Sequence, residues 1–234
     1  MVSKDSIVVI SEGIKPLILL KPKFKCCTDF KLPIEEGKTP FKLFILKLIS
    51  VTVLFSTVIP YQAIPNYPQP TVEGHTGEFV IGNFNDIPLI AAKGQFHYYE
   101  GHDIETVTLP IQLFYKLGIK YIIITNAAGS VKKSIHPGSL MAINGYADCT
   151  FRESPSTPKI ENNISSQLLD CVDMASKNTN VKIKKGIYCW TQGPGYETPS
   201  EVEYIRNLGG DAVGMSTVPE LQASEQLGIE AIGI

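Results

Sequence analysis

Apolar positions along this chain change their spacing several times, and each change marks an element. Tyr121-Ile122-Ile123-Ile124-Thr125 is an unbroken apolar run of strand length, as a strand covered on both faces should be. Residues 140–144, 186–190, 211–215 and 229–234 read as further short buried strands, the third ending at Met215. Glu78 opens a strand over 78–82 and Ile87–Lys93 a second, joined through Asn83-Phe84-Asn85-Asp86 as a hairpin. Helical spacing takes over at Ile104, Val107, Ile111 and Phe114, which lie three or four apart and stop before Gly118. Pro110 is expected in the first turn of that helix, which sets its start near Thr108. A second helix face runs through Ile164, Leu168, Val172 and Ala175. Two later helices announce their own starts. Thr198 and Glu201 form a capping box with Pro199 at the first helical position, and Thr217 with Glu220 repeats it ahead of a helix ending at Gly228.

Strand and helix alternate through this region, the grammar of an α/β fold with a mixed, largely parallel central sheet flanked by helices in a single domain. Ligands of such sheets bind outside the carboxyl ends of the strands. Residues 1–58 follow no comparable period and stay unassigned, apart from a strand at Ile7-Val8-Val9-Ile10; the orderly domain covers 59–234. The apolar run 43–59 contains Lys47 and is shorter than the ~20 residues of a spanning helix. Its Val, Ile, Phe and Thr content suits a buried strand, and a membrane span is the second choice. Pro60, Pro65, Pro68 and Pro70 make an extended connection, and residues 146–158 a mobile loop.

Composition narrows the function classes. The net charge is 21 − 23 = −2 with 19% charged residues, which offers no basic face to nucleic acid or anionic lipid. Five cysteines (Cys26, Cys27, Cys149, Cys171 and Cys189) match no metal or redox spacing and read as reduced thiols. Met1-Val2-Ser3-Lys4-Asp5-Ser6 is no secretory signal, so a cytoplasmic protein is expected.

The chemistry gathers in four stretches. Gly193-Pro194-Gly195-Tyr196-Glu197-Thr198 must turn tightly, and it holds Glu197 just ahead of a helix N-terminus as an ionised acceptor beside an aromatic ring. These residues alone suit either a flat heterocycle or a plain capping loop. Gly94-Gln95-Phe96-His97-Tyr98-Tyr99-Glu100-Gly101-His102 concentrates aromatic and imidazole side chains. Thr125-Asn126-Ala127-Ala128-Gly129 lets backbone N–H groups approach an anion, although an ordinary strand-to-loop turn would look the same. The fourth is Gly214-Met215-Ser216-Thr217-Val218-Pro219-Glu220.

In order and spacing these four stretches resemble the trimeric purine nucleoside phosphorylases, over roughly residues 59–234. The resemblance implies phosphorolysis of a 6-oxopurine nucleoside to free base and ribose 1-phosphate, with inorganic phosphate as co-substrate and no cofactor or metal. It implies His97 and Glu197 as catalytic residues, with Tyr99, Asn126, Ala127, Tyr196, Glu197 and Met215 around the nucleoside. His75, Gln95, His97, Ala127 and Ser216 would surround phosphate; for His75 a turn hydrogen bond is an equal alternative. A homotrimer follows, with Phe151 the candidate that reaches a neighbouring ribose site.

Departures from the family pattern are specific. Gln95 stands where the family has Arg, and a neutral amide cannot make the bidentate fork that suits phosphate. An ionic hydrogen bond is worth ~1.5–3 kcal/mol, so phosphate binding should weaken roughly ten- to a hundredfold. Ile10-Ser11-Glu12-Gly13-Ile14 is a poor match to the family's phosphate cradle. Past Ile234, which falls within the last expected strand, the family continues with an Asn for purine N7, a His near the ribose 5′-hydroxyl and a closing helix. The expectation is an incomplete domain with little phosphorolytic activity of its own. A non-catalytic or incomplete member that binds purine or associates with an active subunit is the first alternative and a methylthioadenosine phosphorylase the second.

Overall fold

The computed structural model describes residues 7–11, 53–72, 74–84, 87–153 and 155–234. Its strands are β1 Ile7–Ser11, β2 Val53–Pro60, β3 Glu78–Phe84, β4 Ile87–Lys93, β5 Tyr121–Thr125, β6 Gly129–Ser130, β7 Leu140–Asp148, β8 Ile183–Trp190, β9 Ala212–Gly214 and β10 Glu230–Gly233. Its helices are α1 Ile104–Lys116, α2 Ser166–Thr179, α3 Pro199–Leu208 and α4 Val218–Gln226. One six-stranded sheet has the order β10-β5-β1-β4-β3-β2, and a four-stranded sheet the order β6-β9-β8-β7. The expected largely parallel sheet is thus divided in two.

The apolar runs became the parallel strands. β10, β5, β1 and β4 run parallel, with Ile7 opposite both Leu89 and Tyr121, while β3 and β2 complete the sheet antiparallel. The stretch Ile7-Val8-Val9-Ile10 therefore sits between β4 and β5 in the middle of the sheet, and the end of the 43–59 run forms edge strand β2. Residues 43–52 of that run, Glu12-Gly13-Ile14, Cys26-Cys27 and the Asn85-Asp86 turn lie outside the described residues. Among the described residues no helix is long and apolar enough to cross a membrane.

Three local expectations are corrected. Helix α1 starts at Ile104, because Asp103 is its cap and accepts from Thr106 N–H at 2.8 Å; Pro110 lies inside the helix, buried. The cap overrides the proline, whose missing N–H costs one intrahelical bond. Tyr146, Ala147 and Asp148 belong to β7, so the loop after it begins at Cys149. Strand β9 is shorter than 211–215, and Met215 already lies in the turn beyond it.

The main core joins Phe79, Ile111, Phe114, Ile122, Ile124, Tyr146 and Trp190, all buried. It fixes α1 against α4 and the six-stranded sheet. Tyr61 ties the extended connection to the end of β4: its hydroxyl donates to the Gly94 carbonyl at 3.0 Å, and its N–H to the Gly77 carbonyl at 2.8 Å. Gly94 has φ +147, and a Cβ there would lie 3.0 Å from Gly77 N, so only glycine lets the two backbones meet.

Phe114 is fully buried, with its ring centroid 5.8 Å from that of Phe79. Phe114→Ala should cost ~3–5 kcal/mol, read as a lower denaturant midpoint with unchanged slope. A loss under ~1 kcal/mol would mean that α1 is not seated in the core as described.

Candidate active site

The first stretch leaves β4 and turns back at once. Tyr98–Glu100 is a single 3-10 turn capped by His97, in which His97 and Glu100 bond reciprocally. Glu100 Oε1 accepts from His97 N–H at 2.7 Å and lies 2.9 Å from His97 Nδ1. Its Oε2 accepts from the Thr71 N–H at 2.9 Å and the Thr71 hydroxyl at 2.5 Å. Burial pushes the Glu100 carboxyl up, but the bonds from Thr71 and His97 outweigh that and bring it from 4.5 down to about 2. An ionised carboxylate only accepts, so His97 Nδ1 carries a proton and the imidazole orientation is set from behind. His97 is 1% exposed. Its ring stacks on Tyr99 with centroids 4.7 Å apart, and the His75 ring meets it edge-on at 5.2 Å. His75 Nδ1 accepts from the Gln95 N–H at 2.9 Å, so that nitrogen is unprotonated. The His75 side chain thus bonds across 20 positions of the chain rather than within its own turn, and its ring lies beside that of His97.

Gln95 is 1% exposed, and its side-chain N–H₂ donates to Glu220 Oε1. This corrects the second capping box. Thr217 has φ +76 and makes no side-chain cap bond, since Glu220 reaches across the junction instead of back to its helix. The Thr217 hydroxyl instead accepts from Asn126 Nδ2 at 2.8 Å and lies 3.3 Å from the Ser216 hydroxyl. Ser216 is 4% and Thr217 0% exposed, whereas Ala127 is on the surface.

The loop after β8 supplies a third wall. Glu197 Oε1 accepts from the Thr191 hydroxyl at 2.6 Å, and Thr191 N–H donates to the Gly214 carbonyl at 2.8 Å, which fastens the loop to β9. The box at Thr198 and Glu201 and the N1 proline form as expected. At Gly193, φ is +75, and a Cβ would sit 2.6 Å from Met215 Sδ and 2.9 Å from Tyr99 Cδ1. Tyr99 and Met215 are therefore neighbours across a bare backbone. Beside them opens a cleft of about 670 Å³ lined by Tyr99, His102, Gln192, Gly193 and Pro194 among others. Tyr196, at 94% exposure, stands in solvent, and Phe151, at 48%, lies on the surface against Tyr204. Among the described residues no group of three or more His, Cys, Asp or Glu is placed to hold a metal ion.

Glu100, Glu220 and Thr191 act in this arrangement without standing among the residues that the sequence singles out for the site. The spacing His97 to Glu100, three apart at a turn, is a legible signal for the first. Glu220 gives none, because its partner is 125 positions away.

The model of the Phosphorylase superfamily matches residues 47–234. Purine nucleoside phosphorylase 1 of Geobacillus stearothermophilus is 38% identical over 226 residues, 92% of this chain and 79% of that protein. Purine nucleoside phosphorylase 1 of Bacillus subtilis is 37% identical over 186 residues, 75% of this chain and 69% of that protein. Among solved structures, Schistosoma mansoni purine nucleoside phosphorylase in complex with inosine superposes with a TM-score of 0.73 at 25% identity, covering 98% of this chain and 75% of that one.

The Glu100 carboxylate has a testable signature. Its folded pKa lies below its ordinary value of 4.5, so its stabilisation is complete above about 4.5 and fades as pH falls towards about 2. Glu100→Gln should therefore be less stable than the unmodified chain near neutrality, with a gap that closes across that acid window in denaturant titrations. A gap constant with pH would show that the charge at Glu100 contributes nothing.

Proposed function

The chain belongs to the phosphorylase superfamily and, within it, to the purine nucleoside phosphorylases; from that premise we propose that it cleaves 6-oxopurine (deoxy)ribonucleosides with inorganic phosphate. The observation that carries this reading is the position of Tyr99. Its ring stacks on His97, on the side assigned to phosphate, and touches the Gly193 backbone, on the side assigned to the nucleoside. A ribose laid along Tyr99 and Met215 would have an anion at one face and a base at the other.

The reaction breaks the bond between C1′ and the purine nitrogen, whose electron pair leaves with the base. The ribose becomes cation-like, and a phosphate oxygen then bonds to C1′ to give (deoxy)ribose 1-phosphate. Groups that favour charge where it develops lower this barrier. His97, oriented by Glu100, and the Ser216 hydroxyl beside the α4 N-terminus would hold phosphate. Glu197 would accept from N1–H and from a 2-amino group. Its bond from Thr191 uses one of roughly four acceptor positions, so capacity remains. Tyr196 would have to swing in from solvent to cover the base. The route needs phosphate as co-substrate and no redox group; a cytoplasmic homotrimer, with Phe151 at the subunit contact, accompanies the reading.

Calorimetry with hypoxanthine, guanine and adenine tests the base assignment, and inosine turnover in saturating phosphate tests the reaction. The 6-oxopurines should bind about tenfold or more tighter than adenine, and Glu197→Ala should erase the difference, as expected when a half-buried acceptor loses its donor. Equal or tighter adenine binding would favour a methylthioadenosine phosphorylase. Purine binding without turnover would make the chain a non-catalytic member of its family.

A further inference from the structure

The amide of Gln95 has two ends with opposite roles, and the fold decides which faces where. Against the Glu220 carboxylate only the N–H₂ end can face inwards, because a carboxylate oxygen accepts and does not donate. The other end, Oε1, is therefore turned elsewhere in the same junction between the loop after β4 and the start of α4. It is buried, in a residue 1% exposed, and no described residue donates to it. A buried carbonyl oxygen left in this state costs free energy unless a ligand or water supplies a hydrogen.

Its neighbourhood is the one assigned to phosphate. Gln95 N–H is bound to His75, which lies edge-on to His97, and Glu220 stands on the first turn of α4 just after Ser216. An arginine here would present only donors to an incoming anion. Gln95, anchored by Glu220, presents an acceptor, and Glu220 adds a second oxygen-bearing group behind it. Two acceptors repel a bare oxyanion and favour one that carries its own hydrogen.

We propose that Gln95 makes this anion site selective for oxyanions bearing a hydroxyl, hydrogen phosphate or hydrogen arsenate, over sulfate. The inference rests on the phosphorolysis reading and deepens it. The P–OH group donates to Gln95 Oε1, while the remaining oxygens accept from His97 and Ser216. Sulfate has the same shape and, at mildly alkaline pH, the same double charge as hydrogen phosphate, but no hydrogen to give. The comparison therefore isolates a single hydrogen bond.

The experiment is calorimetric titration of the full chain with sodium phosphate, arsenate and sulfate at mildly alkaline pH, with inosine turnover measured in parallel. Phosphate and arsenate should bind about ten- to a hundredfold more tightly than sulfate, and sulfate should be a correspondingly poor inhibitor of turnover. Gln95→Met, which removes the acceptor at similar volume, should abolish most of that ratio, and Gln95→Arg should raise sulfate affinity above that of the unmodified chain. Sulfate binding as tight as phosphate binding to the unmodified chain overturns the proposal whether or not either variant folds. So does a Gln95→Met variant that folds and keeps the ratio. If turnover proceeds while sulfate competes equally, only this inference falls. If phosphate neither binds nor supports turnover, the reading on which it rests falls with it.

Discussion

Parallel strand pairing is the constraint from which everything else in this molecule follows. β4, β1, β5 and β10 run in one direction, as do β7, β8 and β9, so each chain segment must cross back before the next strand begins. Every loop that leaves the carboxyl end of one of these parallel strands consequently leaves its sheet on the same side. The stretches starting at Gly94 and Asn126 emerge there from the larger sheet, and those starting at Thr191 and Met215 from the smaller. The contact of Gly193 with both Tyr99 and Met215 is where the two sets meet. No single motif builds the site; the strand directions do.

Within the site, carboxylates rather than cations do the orienting. Glu100 receives four contacts from Thr71 and His97, Glu197 receives the Thr191 hydroxyl, and Glu220 receives the Gln95 amide. Hydrogen bonds to a charged acceptor are worth ~1.5–3 kcal/mol, against ~1 kcal/mol for a helix cap. That ordering explains why Glu220 leaves its helix cap unmade. At the exposed Thr198 and Glu201, where no buried amide competes, the same residue pattern makes the ordinary box.

Long apolar runs and local punctuation are legible in the amino-acid sequence itself. The strand Tyr121–Thr125, the hairpin strand Ile87–Lys93 and the helix start at Pro199 fall where their residues put them. What the sequence hides depends on partners distant along the chain or on two local rules in conflict. Pro110 suggests a late helix start while Asp103 dictates an early one, and the cap prevails because its oxygen meets a waiting N–H. Tyr196 neighbours Glu197 in sequence, which suggests a ring over the base, yet its side chain stands in solvent. The middle strand β1 draws its place from pairing with β4 and β5, which the unpatterned residues around it do not reveal.

The two Thr-x-x-Glu segments make a controlled comparison inside one chain. Thr198 has φ −68, in extended backbone, and its hydroxyl and Glu201 close the box. Thr217 has φ +76, where a β-branched residue is a true outlier and the backbone stores ~1–3 kcal/mol. Something must offset that strain. The bond from Asn126, full burial of the threonine and the reach of Glu220 to Gln95 are the interactions present. The two bonds tie the α4 N-terminus to loops that follow other strands, and neither serves the helix itself. The sequence thus uses one pattern twice, first to start a helix and then to hold the start of a helix in a posture that only its neighbours in the site require.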